Sequence, residues 1–423
     1  MLSIRLLCYI SLIWVINLDC NESNSNDDAE SYVQDESSCD PSNEVFIEDP
    51  EDFIDTGSDG CDDILEDGNG GSDTATANLT INETAEIVGT SENDTLNGTS
   101  EDDVIYGLEG RDSIYAQAGN DTLYGGIGND YLYGGDGEDY LYGGEGYDNL
   151  NGGYGNDNLD GGDGLDTVEF SSFATNLTVN LTTGIATSDN FGTDTLINIE
   201  RIYGSENADH LTGNNQDNVF RAKGGDDVIY GLGGNDRLWV DGGNNQLYGG
   251  EGNDTFQIYG GNDNNIIDGG SGTDDVEYDF SPDLDSVIIN LHTGEDDLDG
   301  DGVANNTLVS IENISLRSTG NNFIYGNDGD NNLISWLGSN TIYGLGGDDT
   351  ITGPSGSGSP PFSPDQIFYG GDGNDDLSSQ YGDDYLNGEA GDDYIFSGGG
   401  DDMLFGELKN IGIIKGDIEG TRV

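Results

Sequence analysis

Basic side chains are scarce in this chain. Only 10 Lys and Arg stand against 85 Asp and Glu among 423 residues, which gives a formal net charge of −75 at pH 7. Nucleic acid and anionic membrane surfaces are therefore poor partners, because both are bound through positive side chains. Hydrophobic residues are also few, at 33%, so an ordinary apolar core is not expected. Such a chain would stay disordered unless multivalent cations offset its self-repulsion.

Catalytic motifs are missing as well. The chain has two histidines, His210 and His292, and neither belongs to an H-E-x-x-H metalloprotease motif. No G-x-S-x-G nucleophile elbow occurs, and paired carboxylates are so common that they carry no glycosidase signal. The sequence therefore predicts a protein without enzymatic activity.

Long apolar runs are confined to the beginning of the chain. Residues 1–19 contain Arg5 and then an apolar stretch of signal-peptide length. We interpret them as a secretory signal; the alternative, an uncleaved membrane anchor, would need a longer stretch. The expected location is extracellular, with no membrane span after signal removal.

Cysteine is rare, with four residues in all. Cys8 lies in the expected signal and Cys20 at its end, which leaves Cys39 and Cys61 within residues 20–80, an acidic region without Lys or Arg that we expect to form a disordered tail. In an oxidising compartment these two cysteines would pair most simply as a disulfide, since two thiols alone do not complete a zinc site.

Glycine, in contrast, is abundant, with 70 residues, and within the repeats it follows a nonapeptide pattern, G-G-x-G-x-D-x-(Leu/Ile/Val)-x. One aspartate falls at every ninth position for nine units, from Asp94 to Asp166, and an aliphatic residue follows two positions after each. A tight turn with a short strand cannot bury its aliphatic side chain alone, so neighbouring units must stack as a solenoid. Two units form one coil. Aspartates two units apart should then form a file along one edge, with Asp121, Asp139 and Asp157 on one edge and Asp130 and Asp148 on the other.

The repeats resemble those of a known family. Units such as G-G-I-G-N-D-Y-L-Y at 125–133 and G-G-Y-G-N-D-N-L-D at 152–160 are similar to the nonapeptides of RTX (repeats-in-toxin), or hemolysin-type, calcium-binding proteins. The resemblance covers roughly residues 89–405 and implies a right-handed parallel β-roll with Ca²⁺ between its turns. Family members commonly use a C-terminal export signal, whereas this chain begins with a conventional one.

The resemblance, together with the preference of Ca²⁺ for six to eight carboxylate and carbonyl oxygens, identifies candidate metal ligands and Ca²⁺ as the cofactor. The candidates are the aspartates of the sixth repeat position: Asp94, Asp103, Asp112, Asp121, Asp130, Asp139, Asp148, Asp157, Asp166, Asp209, Asp227, Asp236, Asp254, Asp274, Asp349, Asp375, Asp384, Asp393 and Asp402. Asparagine takes this position at 218, 245, 265, 322, 331 and 340. A rung here means one repeat unit within the stack. The rungs with asparagine are either weaker calcium sites or metal-free rungs held by amide hydrogen bonds.

Two further patterns stand apart from the aspartates. Residues 297–302 have the spacing of an EF-hand loop, but Leu308 replaces its bidentate glutamate, which leaves a weak site or a plain acidic turn. Tyr106, Tyr124 and Tyr142 are 18 residues apart, so we expect them to stack on an outward strand face. The alternative is an aromatic surface for glycans or self-association.

The predicted fold class is all-β: a right-handed parallel β-roll or β-helix solenoid with Ca²⁺ between turns, preceded by the disordered tail. Three arrays span 81–170, 209–276 and 321–408, with β connectors at 171–208 and 277–320. A Pro/Gly/Ser loop at 353–366 interrupts the third array, and 409–423 form a C-terminal cap.

From these features we predict a secreted calcium-binding protein that folds on Ca²⁺ and has a structural, matrix or adhesive role. Its expected partners are calcium ions and, beyond them, glycans, mineral or further copies of itself. The alternatives are a non-catalytic module that partners a secreted epimerase, lipase or protease, and an ice- or surface-binding protein.

Overall fold

A computed structural model of the chain describes residues 86–170, 175–259, 263–279, 286–298, 302–354 and 364–406, and the backbone of two short strands near the N-terminus. The chain divides into two units, Met1–Glu83 and Thr84–Val423. In the first unit, strand Trp14–Ile16 pairs antiparallel with strand Val45–Ile47. Signal cleavage, the cysteine pair of the tail and the predicted C-terminal cap concern residues outside this description.

The second unit is a parallel β-solenoid of about 16 turns, as the repeat predicts, and the all-β fold class is confirmed. It has two sheets. The first has 15 strands: Thr95–Asn97, Ser113–Ala118, Tyr131–Asp136, Asn149–Tyr154, Thr167–Glu169, Arg201–Tyr203, Val219–Lys223, Arg237–Val240, Thr255–Ile258, Asp275–Asp279, Asn313–Arg317, Asn332–Ser335, Thr350–Thr352, Asp376–Ser378 and Tyr394–Phe396. Among the residues described, no helix is long and apolar enough to cross a membrane.

The second sheet has 20 strands. In order of pairing they are Glu86–Val88, Val104–Glu109, Thr122–Ile127, Tyr140–Gly146, Asn158–Gly164, Gly192–Ile197, Ile185–Ser188, Thr178–Asn180, His210–Thr212, Val228–Gly233, Gln246–Glu251, Ile266–Ser271, Thr307–Val309, Glu295–Asp297, Ile288–Asn290, Asn321–Tyr325, Ser339–Gly346, Ile367–Asp372, Tyr385–Ala390 and Met403–Phe405.

The core is a double row of apolar side chains, most of them aliphatic and a few aromatic. Leu123 pairs in register with Leu141 in one sheet, and Leu132 with Leu150 in the other. All four are completely buried. Because each strand contributes only one or two inward side chains, no coil can bury its apolar surface without the coils above and below it. The strands of successive coils are about 4.8 Å apart, which sets the spacing of every side-chain file in the molecule.

Glycine is required where successive turns approach each other most closely. Gly128, at the fourth repeat position, has a φ of 154°, and a Cβ there would collide with the carbonyl oxygen of Gly110 in the preceding coil on the same edge. At the second position some turns keep the left-handed backbone without glycine, since Leu108 and Gln117 take φ values of 87° and 84° there. Where glycine does stand at this position it also faces a carbonyl of the preceding coil, as Gly126 faces that of Leu108.

The two connectors continue the solenoid. In the first, strands Thr178–Asn180, Ile185–Ser188 and Gly192–Ile197 form an antiparallel meander whose outer strands pair in parallel with the neighbouring coils. The second connector repeats this arrangement with Ile288–Asn290, Glu295–Asp297 and Thr307–Val309. The other sheet runs past both insertions without extra strands. The core and the edge files therefore pass through both connectors.

Candidate metal sites

The aspartates of the sixth repeat position form two files, one along each edge of the solenoid. The backbone N–H of Asp112 donates to Oδ1 of Asp130 at 2.8 Å, and the N–H of Asp130 donates to Oδ1 of Asp148 at 2.8 Å. On the opposite edge Asp121 and Asp139 make the same contact at 2.8 Å. Each carboxylate thus uses one oxygen to hold the neighbouring coil. The predicted division of the aspartates between two edges is what the structure shows.

The second carboxylate oxygen is buried without a partner in most of these turns. Oδ2 has no hydrogen-bond donor among the described residues in 13 aspartates: Asp112, Asp121, Asp130, Asp139, Asp148, Asp157, Asp166, Asp227, Asp236, Asp254, Asp274, Asp349 and Asp375. A buried carboxylate oxygen without a donor is strongly destabilising. An array of such atoms is what a bound cation would satisfy.

Backbone carbonyls stand next to these oxygens. Oδ2 of Asp130 lies 2.6 Å from the place where a Cβ on Gly125 would be, and the carbonyl oxygen of Gly143 lies 2.5 Å from the same point. Near Gly128, Oδ1 of Asp130 and the carbonyl oxygen of Gly110 both lie beside the position of an added Cβ. Glycine therefore keeps open two spaces that oxygen atoms line, one on each side of the carboxylate.

This donor set fits a hard cation that takes most of its ligands from the backbone. No group of three or more His, Cys, Asp or Glu side chains forms a metal-binding cluster within the part of the chain that the structure describes. Carboxylate oxygens with several carbonyls are the ligand chemistry of Ca²⁺. The residues present fit calcium.

Burial raises the pKa of many aspartates in both edge files. Desolvation raises the pKa of Asp139 and Asp148 from the ordinary 3.8 to about 7, although a backbone N–H donated to each carboxylate lowers it. The pKa values of Asp227, Asp236 and Asp349 rise to about 7 for the same reason. Without a cation these carboxyls resist ionisation, and a bound cation would favour their ionised form.

Not every aspartate in the files lacks a second partner. The hydroxyl of Ser205 donates to Asp209 at 2.7 Å, and Ser379 donates to Oδ2 of Asp384 at 2.6 Å. A side-chain hydroxyl also donates a hydrogen bond to the carboxylate at three further positions: Thr90 to Asp94, Thr99 to Asp103 and Ser397 to Asp402. These predicted ligands already have donors from the protein, and their turns depend less on a cation. Asp393, the remaining candidate, is buried at the end of its file, where its Oδ1 accepts the N–H of Asp375 at 3.1 Å.

Asparagine rungs form amide ladders. Nδ2 of Asn322 donates to Oδ1 of Asn340 at 2.8 Å, and Nδ2 of Asn340 donates to Oε1 of Gln366 at 3.0 Å. Nδ2 of Asn245 likewise donates to Oδ1 of Asn265 at 3.0 Å. An amide nitrogen thus stands where aspartate has its second oxygen, and its hydrogens would repel a cation. For these rungs the contacts favour the metal-free alternative.

The other two asparagines lie on the opposite edge. Nδ2 of Asn331 donates to the carbonyl oxygen of Glu312 at 2.8 Å. Nδ2 of Asn218 is buried without an acceptor among the described residues. A buried amide donor is poorly placed beside a cation, so neither residue resembles its aspartate neighbours.

Several members of the files were not predicted. Asp194 accepts the N–H of Asp157 at 3.0 Å, Glu200 that of Asp166 at 3.0 Å, and Glu312 that of Asp274 at 2.8 Å. All three acceptors belong to connectors. Desolvation raises the pKa of Asp194 to about 8, more than for the repeat aspartates described above. The connectors thus supply carboxylates to both files.

The two other sequence patterns have different outcomes. In the EF-hand-like segment, Asp297 accepts the N–H of Gly302 at 2.9 Å, and Leu308 is buried within a strand. Positions 299–301 lie outside the described residues, so a weak site there stays a prediction.

The predicted tyrosine stacking is present. The ring centroid of Tyr124 lies 4.9 Å from that of Tyr106 and 5.0 Å from that of Tyr142, with interplanar angles of 5° and 7°. Tyr343 is stacked in the same way between Tyr325 and Tyr369. Both faces of each central ring are covered by neighbours, so a sugar could stack only on the ends of such a ladder.

The fold and the edge files together define a calcium-binding β-roll solenoid. The family model for the RTX calcium-binding nonapeptide repeat matches the chain at residues 88–123, 115–150, 133–168, 198–229, 221–256, 257–279, 318–342, 337–357 and 369–404. The chain belongs to this family of RTX calcium-binding repeat proteins, as its nonapeptides predict. Among curated proteins none is similar enough to count as a match.

Proposed function

We propose that this chain is a secreted protein that folds when Ca²⁺ binds and then serves as a structural, matrix or adhesive element. The observation that supports this most strongly is the set of 13 buried carboxylate oxygens that have no hydrogen-bond donor among the described residues. They lie beside carbonyl oxygens in two files, and the repeat family binds calcium. The aspartates of these turns would be the charged ligands, and the carbonyls of both adjacent turns would complete the shell.

Bound calcium supplies the positive charge that balances the negative charge of the buried carboxylates. Because the files hold neighbouring coils together, ion binding and folding become one process, and the binding free energy contributes directly to stability. Mg²⁺ should substitute poorly, because it demands a tight octahedral shell and gives up its waters reluctantly. In this view the metal has a structural role.

The loaded protein would still be strongly acidic. The formal charge is −75, so one ion in each turn with an unpartnered oxygen leaves a large negative excess. Exposed carboxylates also repeat along the edge: Oδ1 of Asp365 accepts the N–H of Asp383, and Oδ1 of Asp383 that of Asp401, both at 2.8 Å. Such rows, spaced by the strand distance, suit further cations, and through them mineral, acidic glycans or a second copy.

We further propose that the chain has no catalytic activity. His210 is exposed on a strand beside Tyr230, with ring centroids 5.7 Å apart, which is a packing contact on the outer face. The buried aspartates use one oxygen to hold a backbone N–H, so they are committed to the stack. A role beside a secreted enzyme would require that enzyme on another chain.

Light scattering of the full chain tests the association. Millimolar Ca²⁺ should raise the scattered intensity or retain the protein on calcium phosphate particles or an acidic polysaccharide, and EDTA should reverse the effect. Equal concentrations of Mg²⁺ serve as the control for simple screening. A calcium-loaded protein that stays monomeric and binds neither material would contradict the structural role, and turnover in a hydrolase screen would contradict the absence of catalysis.

A further inference from the structure

Both connectors place a glutamate where the repeat would place its next aspartate. In a regular rung the N–H of Asp148 donates to Oδ1 of Asp166 at 2.8 Å. At the end of the first array the N–H of Asp166 donates instead to Oε2 of Glu200, at 3.0 Å. At the end of the second array Asp274 makes the same contact with Oε2 of Glu312, at 2.8 Å. A carboxylate thus continues one edge file across each break in the nonapeptide pattern.

In each connector a carbonyl of a residue other than glycine also takes the place of the glycine carbonyl that lies beside a regular repeat aspartate. Asn198 and Ser310 each lie two residues before the glutamate and have a φ of 51°. This is the left-handed backbone region, which residues other than glycine rarely adopt. The carbonyl oxygen of Asn198 lies beside Gly161, where a regular turn has a glycine carbonyl, and that of Ser310 lies beside Gly269. Such a backbone costs about 1 kcal/mol or more, yet both connectors keep it.

The aspartates that face these carbonyls have an oxygen without a donor. Asp166 and Asp274 are completely buried, and Oδ2 of each has no hydrogen-bond partner in the part of the chain that is described. Oδ2 of Asp166 lies 2.6 Å from the place where a Cβ on Gly161 would be, next to the Asn198 carbonyl. Two carboxylates and a carbonyl therefore converge at each connector.

The first connector also has open space beside this group. A cavity of ≈ 340 Å³ is lined by Asp163, Asn198, Glu200 and Gln216 among others. A single water needs only about 10–15 Å³ of such volume, so the cavity can hold an ion with several of its waters. Calcium sites commonly include water among their ligands.

We propose that each connector holds a calcium site of its own, in which Glu200 or Glu312 replaces the repeat aspartate and acts with Asp166 or Asp274. The proposal rests on the calcium binding proposed above and extends it beyond the nonapeptides; Glu312 lies outside the residues that the family model matches. One consequence is that the ion file on this edge continues from array to connector, which couples their folding.

Calcium counting on the full chain tests this assignment. The double variant Glu200→Gln with Glu312→Gln keeps an acceptor for the two N–H groups but removes both charges. Atomic absorption after gel filtration should find two ions per chain fewer than in the wild type, and each single variant should lose one. The matched control, Glu145→Gln with Glu251→Gln, makes the same charge change at exposed positions in the turns and should keep every ion.

Circular dichroism at saturating Ca²⁺ checks that the variants are folded. If the double variant does not fold, the two single variants, each with one connector intact, give the answer. Ion counts equal to those of the wild type in the folded single variants would overturn the connector sites and leave the proposed function standing. A wild-type chain that binds no calcium would overturn both.

Discussion

Acidification should partly replace calcium. In the ion-free chain, desolvation raises the pKa of 11 buried aspartates to about 6 or higher, and Asp139 and Asp148 reach about 7. A pKa difference of one corresponds to about 1.4 kcal/mol, so ionising Asp139 in the fold costs at most about 4 kcal/mol. Water that enters an ion-free turn lowers this to about 2 kcal/mol. Several such penalties together are comparable with the roughly 5–15 kcal/mol by which domains are usually stable.

The sign of the pH dependence follows from the raised pKa values. The folded chain holds protons that the unfolded chain has already released, so the penalty is complete above about pH 7 to 8 and fades as the pH falls towards 4. Calcium acts in the opposite direction, since it binds the ionised carboxylates and loses affinity in acid.

The assay is circular dichroism with sedimentation velocity in EDTA, from pH 8 down to about 5, which stays above the isoelectric point of about 4.1. We expect β-structure and compaction to increase as the pH falls. A chain that is equally folded at both ends of this range, or more folded at pH 8, would refute the reasoning.

Three substitutions give further predictions. Asp139→Ala should raise the calcium concentration needed for folding several-fold, and Asp209→Ala should raise it less, because a serine hydroxyl already donates to Asp209. Equal shifts of the two variants in calcium titrations would contradict this. Gly128→Ala should destabilise the calcium-loaded protein by about 3 kcal/mol or more, measured by urea unfolding, because its Cβ collides with the Gly110 carbonyl; an unchanged midpoint would contradict the close packing. Asn340→Asp should lower stability in acidified EDTA, because a protonated carboxyl has one hydrogen to donate where the amide has two for the Gly338 and Gln366 oxygens; unchanged melting would argue against the ladder.

The main features of the fold could be predicted because the repeat is local. A period of nine fixes which side chains point inward and which edge each aspartate takes, so the Asp121 and Asp130 files followed from counting alone. The hydroxyl-capped turns also had a signal in the sequence, since Ser205 stands at a position where the regular turn has glycine.

The place of the connector glutamates in the edge file could not be predicted in this way. Glu200 and Glu312 lie 34 and 38 residues from the aspartates they contact, and these separations depend on how many residues the inserted meander takes up. An Ile-Glu pair occurs in both connectors, at 199–200 and at 311–312, but the place of its glutamate in the edge file depends on a tertiary contact. Gln366 was missed for a similar reason, since an insertion separates it by 26 residues from Asn340.

The partition of the asparagines also depends on tertiary structure. Asn245, Asn322 and Asn340 all belong to amide ladders of one edge, whereas Asn218 and Asn331 lie on the other. Counting by nine cannot show this across a connector, because the meander resets the register.

A calcium titration of the full chain, followed by far-ultraviolet circular dichroism, shows whether the solenoid needs Ca²⁺ to fold. We expect a disordered spectrum in EDTA at pH 8 and a cooperative gain of β signal with Ca²⁺, with little gain at the same concentrations of Mg²⁺. An identical β spectrum in EDTA and in millimolar Ca²⁺ would contradict this, because the buried carboxylates would then be tolerated without a cation.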